Sequence, residues 1–272
     1  MSNLNRHHEL RARLERLNLG GMAAVFADLA LKAAKEGLSH EAYLFELAKQ
    51  EEEQRMQRRT TRLLRASGLP PEKTFRHFEA SRLSPALQLQ IERLKDGTFL
   101  DKATNVIAVG KPGTGKSHLA AALGHELILA GHPVLWTPTS HLVQRLLAAK
   151  RDLRLPQELT KQDRFSCVIL DDIGYVQHDR DEMEVLFTFL SERYESKSVI
   201  ITTNLVFSQW DQIFKNPMTT MAAIDRVIHH SVILDMMEVE SYRALEANHR
   251  LQLAQQKEVQ KPAAMISQGV LG

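Results

Sequence analysis

The stretch GKPGTGKS, Gly110 to Ser117, carries residue types at a spacing that suits a triphosphate. It matches G-x-x-x-x-G-K-[ST], and its surroundings agree with the pattern: the apolar run NVIAV precedes it and the helix-forming SHLAAALGHELILAG follows. Glycines let backbone N–H groups turn inward around phosphate oxygens, where a side chain would clash. The helix that follows adds the partial positive charge of its N-terminus. Gly110, Lys111, Pro112, Gly113, Thr114, Gly115, Lys116 and Ser117, with His118 next in line, therefore form the expected ATP-binding set. Lys116 suits the β- and γ-phosphates, and the Ser117 hydroxyl suits one position on Mg²⁺. The bland alternative is a glycine-rich turn that binds nothing, and the agreement of strand, motif and helix speaks against it.

CVILDD ends an apolar run in two acids, Asp171 and Asp172. Carboxylates at the C-terminal end of a strand, beside a phosphate loop, lie where open parallel sheets hold ligands. Asp171 fits the metal side, acting mainly through the water shell of Mg²⁺. Asp172 fits orientation or deprotonation of an attacking water, although an aspartate there could instead cap the next element. VIITTN closes on Asn204, whose amide suits contact with the γ-phosphate or the water; a turn residue at a strand end is the plain alternative. AAIDRVIHH places Arg226 on a helix before the last strand-like run. A guanidinium there suits the charge that develops on a phosphoryl group, donated by a neighbouring copy, unless it simply pairs with Asp225. Arg243 in ESYR is a second candidate phosphate contact, with Glu240 as an ordinary ion-pair partner. His229 and His230 lack neighbours at metal-ligand spacing and read as helix-end residues.

These groups need a frame. From about residue 102 onward, short β-rich runs (NVIAVG, PVLWTP, CVILDD, SVIITTN and SVILDM) alternate with helical stretches. The alternation predicts βαβ units and a parallel sheet covered on both faces. Residues 1–68 read as helical. Leu10, Leu14 and Leu17 recur at helical spacing up to Gly20-Gly21, Met22, Phe26, Leu29 and Ala33 form a second stripe ended by Gly37, and Ser39 suits the N-cap of a long third helix. Residues 69–100, punctuated by Pro70, Pro71 and Pro85 and interrupted by the aromatics of KTFRHF, read as a connector. Residues 101–245 form the α/β part, and 246–272 a polar tail.

Composition narrows the class. The chain has 272 residues, 43% of them apolar and 25% charged, as a folded domain with an appendage would. A net charge of +2 means that any anion-binding role must come from local clustering. A single cysteine, Cys167, excludes a disulfide framework and a multi-cysteine zinc site. No apolar run reaches the ~20 residues that span a bilayer, and the N-terminal stretch lacks a signal-peptide core, so a cytoplasmic, membrane-free setting is expected.

Taken together, GKPGTGKSHLA, ILDDIGY, RYESKSVIITTNLVFSQW and AAIDRVIHHSVILDMMEVESYR resemble the IstB-like helper ATPases of insertion-sequence transposons, within the AAA+ class and close to the DnaC-type helicase loaders. The resemblance spans roughly residues 10 to 245. It implies a five-stranded AAA+ P-loop core behind a smaller all-helical N-terminal domain, ATP-dependent self-assembly on double-stranded DNA, and a cognate transposase as partner. Residue by residue it implies Gly110 to Ser117 as Walker A, Asp171 and Asp172 as Walker B, Asn204 as sensor 1 and Arg226 as arginine finger. The second Walker-B acid is commonly glutamate, and Asp172 implies slow or partner-dependent turnover.

Within that frame EQRMQRRTTRLLRASG, Glu53 to Gly68, gains a meaning. Arg55, Arg58, Arg59, Arg62 and Arg65 step by three and four along one helix face, with no acid from there to Pro71. Glu51 is placed to pair with Arg55. The stripe suits a phosphate-tracking surface that grips DNA without choosing sequence. A solvated face, or contact with an acidic neighbour, is the alternative. A replicative helicase loader shares every core motif; a small-molecule P-loop kinase would need a lidded second pocket, for which there is no signature; a nucleotide-gated clamp would need no turnover.

Overall fold

The computed structural model describes residues 3–175, 180–206, 210 and 227–242. The chain divides into two compact units, Met1–Ser67 and Gly68–Gly272.

The first unit contains three helices: α1 (Asn3–Arg16), α2 (Gly20–Glu36) and α3 (His40–Ser67). Gly37, at φ 65°, closes α2 in the left-handed conformation that glycine adopts most easily, and its amide donates to the Ala33 carbonyl. The Ser39 hydroxyl accepts from the Ala42 amide at 3.1 Å and starts α3.

Gly20-Gly21 does not stop a helix, as the sequence led us to expect, but opens one. The break comes earlier, where Asn18 adopts φ 57°. The reason lies on α3. The Glu51 carboxylate, 4% exposed, accepts from the amides of Gly21 at 2.6 Å and Met22 at 3.2 Å, so it caps α2 from another helix. A Cβ on Gly21 would stand 2.7 Å from the Glu51 Cα, so only glycine admits that approach.

The second unit is built on a five-stranded parallel sheet ordered β2-β3-β4-β1-β5. The strands are β1 (Asn105–Val109), β2 (Val134–Pro138), β3 (Cys167–Asp171), β4 (Ser198–Thr203) and β5 (Ser231–Asp235), matching the five β-rich runs. Strands β1 and β4 are buried along their whole length, which is why they read as unbroken apolar runs rather than alternating ones. Helices α5 (Lys116–Leu129), α6 (Thr139–Arg151), α7 (Leu155–Gln162) and α8 (Arg180–Arg193) supply the crossovers. Register aligns the strand ends: Val109 pairs with Thr203 and with Asp235, and Asp171 pairs with Pro138. All the βα loops therefore leave from one edge.

Residues 69–100, read from sequence as a connector, are themselves folded. Three 3₁₀ turns flank α4 (Pro85–Leu94), whose N-cap Ser84 accepts from the Leu87 amide. Leu83, Leu87, Ile91, Leu94 and Phe99 are buried. Their apolar spacing is helical, and the prolines that suggested a linker sit at turn starts, with Pro85 at the first position of α4.

At the opposite edge of the sheet, Arg193 is 2% exposed. Its guanidinium donates to the carbonyls of Gln162 (3.3 Å), Phe165 (3.0 Å) and Ser198 (3.1 Å), tying the starts of β3 and β4 to the end of α7. Burial lowers the affinity of Arg193 for its proton, and burial also pushes the neighbouring Cys167 thiol up to about 12, which keeps it a neutral packing residue.

The Glu51 cap yields a pH-dependent expectation. Burial pushes this carboxyl up, but the Arg55 guanidinium and the Met22 and Gly21 amides outweigh it and hold it below the usual carboxylate range. A lowered folded value means that the contribution is fully present above the unfolded value of about 4.3 and is lost as pH falls through the folded one. Glu51→Gln should cost the first unit about 1–3 kcal/mol at neutral pH, the scale of hydrogen bonds to a charged group. Hydrogen exchange at the α2 amides, followed from pH 7 to pH 3, should show the two proteins converging; a gap independent of pH would reject this account.

Candidate functional site: the phosphate loop and its strand-end partners

The loop between β1 and α5 has the backbone that its glycines imply. Gly113 has φ 84° and Gly115 φ 94°, both left-handed, and Gly115 is the N-cap of α5. A Cβ on Gly110 would meet the Met236 carbonyl and the Thr114 hydroxyl, each at 2.9 Å. The Thr114 hydroxyl donates to the Lys111 carbonyl at 3.0 Å and the Lys116 ammonium to the same carbonyl at 2.8 Å, so the loop curls around its own centre. The Gly113 carbonyl accepts from the Tyr242 amide at 2.9 Å. Backbone amides facing a helix N-terminus, with Lys116 and Ser117 at the rim, form a cradle with room and charge for phosphate.

Beside the cradle lies a cavity of about 440 Å³. Its walls include Lys73, His77, Phe78, Glu79 and Tyr242, together with Gly113, Gly115, Lys116, Ser117 and His118 of the loop and α5. His118 therefore lines the site, although its ring nitrogen is engaged by the Thr74 carbonyl at 3.0 Å, and it meets Phe78 edge-on at 5.4 Å. The Arg82 guanidinium stacks 3.9 Å over the Tyr242 ring, and the Tyr242 hydroxyl donates to the Glu79 carbonyl at 3.3 Å. A half-open slot walled by aromatic rings suits a flat base. The sequence reading missed this wall. The aromatics in KTFRHF were its only signal, and the fold brings Tyr242, more than 160 positions later, into the same wall as His77 and Phe78.

The acids stand at the aligned strand ends. The Thr202 hydroxyl donates to the Asp171 carboxylate at 2.7 Å, while the Asp171 carbonyl accepts from the Thr139 hydroxyl at 3.0 Å. Asp172 is surface-exposed, with φ 62°. Partial burial and the Asp171 carboxylate push its carboxyl above the usual range, against a downward pull from Lys116. That mutual influence places Asp171, Asp172 and Lys116 in one electrostatic cluster. Asn204 follows β4, and its Oδ1 is buried with no hydrogen-bond partner among the described residues. It packs against Gly174, in the turn that follows Asp172. The glycine cradle and the clustered acids fit a nucleotide with Mg²⁺, which Ser117 and Asp171 would hold.

Residues 12–250 match the IstB-like ATP binding protein family. The chain belongs to that family. It is 40% identical over 242 residues to an insertion sequence ATP-binding protein of Sinorhizobium fredii, covering 87% of this chain and 81% of the relative. It is 36% identical over 240 residues to the insertion sequence IS21 ATP-binding protein of Pseudomonas aeruginosa, covering 88% and 90%. Among solved structures it resembles AMPPCP-bound DnaA of Aquifex aeolicus, with a TM-score of 0.53 at 15% identity over 69% of this chain and 57% of that one. Domain III of DnaA from Thermotoga maritima gives 0.51 at 14% over 62% and 68%. Those likenesses are of fold, and the fold is the AAA+ P-loop type.

In this IstB-like chain two candidates, Arg226 and Arg243, lie outside the described residues. His230 packs against Tyr194 at 5.7 Å and lies 3.9 Å from Glu195, an ordinary surface setting, and no metal-binding cluster occurs among the described residues. No described helix is long and apolar enough to cross a membrane.

The arginines of α3 are not equivalent. Arg55 donates to the Glu51 carboxylate at 2.7 Å and to the Asn18 carbonyl at 3.1 Å, so it buttresses the α1–α2 corner. The Arg58 guanidinium lies where a Gly20 side chain would stand, 2.9 Å from an added Cβ. Arg58, Arg62 and Arg65 share a concave face with Gln54, Gln57 and Thr61. Arg59 lies off that face, though still on the exposed side of α3.

Gly174 directly precedes Tyr175 in the turn after Asp172, and a Cβ there would fall 2.2 Å from the Asn204 Oδ1. Gly174→Ala should therefore displace Asn204 and cost about 1–3 kcal/mol of overpacking strain. Asn204→Ala removes the obstructing oxygen, so the double variant should recover most of the loss. A thermal double-mutant cycle with strictly additive effects would show that the two residues do not compete for this space.

Proposed function

We propose that this chain is an ATP-dependent, DNA-binding helper of an insertion-sequence transposase. The observation that carries the reading is the phosphate cradle, with Asp171, Asp172 and Asn204 aligned at the same sheet edge, in a chain 40% and 36% identical to insertion sequence ATP-binding proteins.

The chemistry is hydrolysis of ATP to ADP and phosphate, in which water attacks the γ-phosphorus and the bond to the β-bridging oxygen breaks. Lys116 swings from the Lys111 carbonyl to the phosphate oxygens, while the loop amides hold the β-phosphate. Bound Mg²⁺ would neutralise charge on the β- and γ-oxygens. The Asn204 amide contacts the γ-phosphate or the attacking water, and Asp172 takes the proton of that water; the raised proton affinity of Asp172 suits a base. Aspartate reaches one methylene less far than glutamate, and slow, partner-stimulated turnover follows. Arg226 of one copy completes the site of the next, so ATP favours an oligomer. Arg62 and Arg65, with Arg58 and Arg59 beside them, track DNA phosphates; the assembly recruits the transposase, and hydrolysis releases it.

Two measurements test this reading. Lys116→Ala should weaken ATP binding about 10–100-fold, the equivalent of one or two charge-assisted hydrogen bonds. Binding of the full chain to duplex DNA, across a salt series with ATP, ADP or no nucleotide, should be strongest with ATP and steeply salt-dependent. Arg62→Ala with Arg65→Ala should reduce the logarithmic slope by about 2. A protein that stays monomeric and ignores duplex with ATP present would overturn the reading, and stimulation of turnover by a replicative helicase instead of a transposase would favour the loader.

A further inference from the structure

Thr202 lies inside β4, 1% exposed, two residues before Asn204. Its hydroxyl has both hydrogen-bonding capacities in use. It donates to the Asp171 carboxylate at 2.7 Å and accepts from the Asp172 amide at 2.8 Å. The chain Asp172 N–H to Thr202 O–H to Asp171 carboxylate runs in one direction, so each bond polarises the next. Strand pairing does not call for these contacts. The β3–β4 ladder is already in register from Cys167↔Ser198 to Leu170↔Ile201, and the hydroxyl acts one step beyond it.

Asp172 shows what the contact holds. Its φ of 62° is left-handed, a conformation that costs a side-chain-bearing residue about 1–2 kcal/mol, although aspartate tolerates it better than most. Successive residues on a strand point to opposite faces. A left-handed residue directly after β3 breaks that alternation and re-aims the second carboxylate. The Thr202 hydroxyl pins the amide of that residue while fixing one oxygen of Asp171. β-branching restricts the threonine side chain to few rotamers, so the hydroxyl is delivered by a stiff arm.

We propose that Thr202 is a positioning residue for both acids: one buried hydroxyl orients the metal-side carboxylate of Asp171 and locks the backbone turn that aims Asp172. The inference rests on the hydrolysis reading above for its catalytic half, and on metal-assisted nucleotide binding for the other. It also makes β4 the carrier of two contacts with the reaction centre, Thr202 through the acids and Asn204 directly.

The test compares full-length wild type with Thr202→Val, which keeps the shape and loses the hydroxyl, and Thr202→Ser, which keeps the hydroxyl. ATP affinity is measured with Mg²⁺ and with EDTA, alongside turnover and the melting temperature. In Thr202→Val the gain in affinity due to Mg²⁺, and kcat, should each fall about 10–100-fold, the usual cost of losing a partner that orients a metal ligand. Affinity in EDTA should stay at the wild-type level, and Thr202→Ser should stay within a few-fold throughout. A Thr202→Val protein with the wild-type response to Mg²⁺, or a serine variant as impaired as the valine variant, would overturn the assignment. Absence of turnover in the wild type would count against the hydrolysis reading alone, and the Mg²⁺ comparison would still decide the role of Thr202.

Discussion

Burial of the central strands on both faces is the constraint from which the rest of the second unit follows. β1 and β4 are buried at every position, and β3 at every position but its last. A parallel strand in that setting has no surface on which to carry an unpaired polar side chain without a desolvation penalty. Its polar residues collect where it emerges. At the C-terminal edge those residues are Gly110 onward, Asp171 with Asp172, and Thr203 with Asn204. The register that aligns Val109, Thr203 and Asp235 converts this one-dimensional rule into a three-dimensional cluster. The phosphate loop needs amides free of strand pairing, and the same edge supplies them.

At the other edge of the sheet the need has the opposite sign, since the end of α7 and the turns that enter β3 and β4 leave carbonyls to be satisfied. Arg193 answers it with a buried guanidinium that serves the carbonyls of Gln162, Phe165 and Ser198. An arginine suits this task because its fork presents several fixed donors at once; lysine would bring a more strongly hydrated charge and no fork. The charge is tolerated because carbonyl dipoles converge on it, as they would on a bound cation. The sheet is thus held at one edge by a fixed cation among carbonyls and presents at the other a cradle of amides for an anion.

How much of this could be read from sequence depended on whether the physics was local. The five strands, the glycine loop and the strand-end positions of Asp171, Asp172 and Asn204 were legible because hydrophobic runs, loop glycines and strand-end polar residues are determined by neighbours in the chain. Gly20-Gly21 was misread as a stop because its meaning comes from Glu51, thirty positions away, which caps the helix those glycines open. The folded segment around Phe78 was hidden for the same reason: prolines and short turns look like a linker until Tyr242 is brought across to meet them. Thr202 was passed over because a threonine in a strand usually signals only β-propensity, and nothing adjacent to it shows that its hydroxyl lies between two aspartates.

Glu51 also changes the meaning of the α3 arginines. A row of five like charges on one helix is self-repelling, and each must find a counter-charge, water or a carbonyl. Arg55 finds Glu51 and the Asn18 carbonyl, and the Arg58 guanidinium lies over Gly20 at the start of α2. Both serve the fold of the first unit before any ligand arrives. The part of the face furthest from this corner, at Arg62 and Arg65 with Thr61 between the turns, has no such duty among the described contacts. The stripe therefore grades from structural at its N-terminal end to outward-facing at its C-terminal end. Truncating Arg55 or Arg58 would confound loss of folding with loss of anion binding, whereas Arg62 and Arg65 isolate the second property.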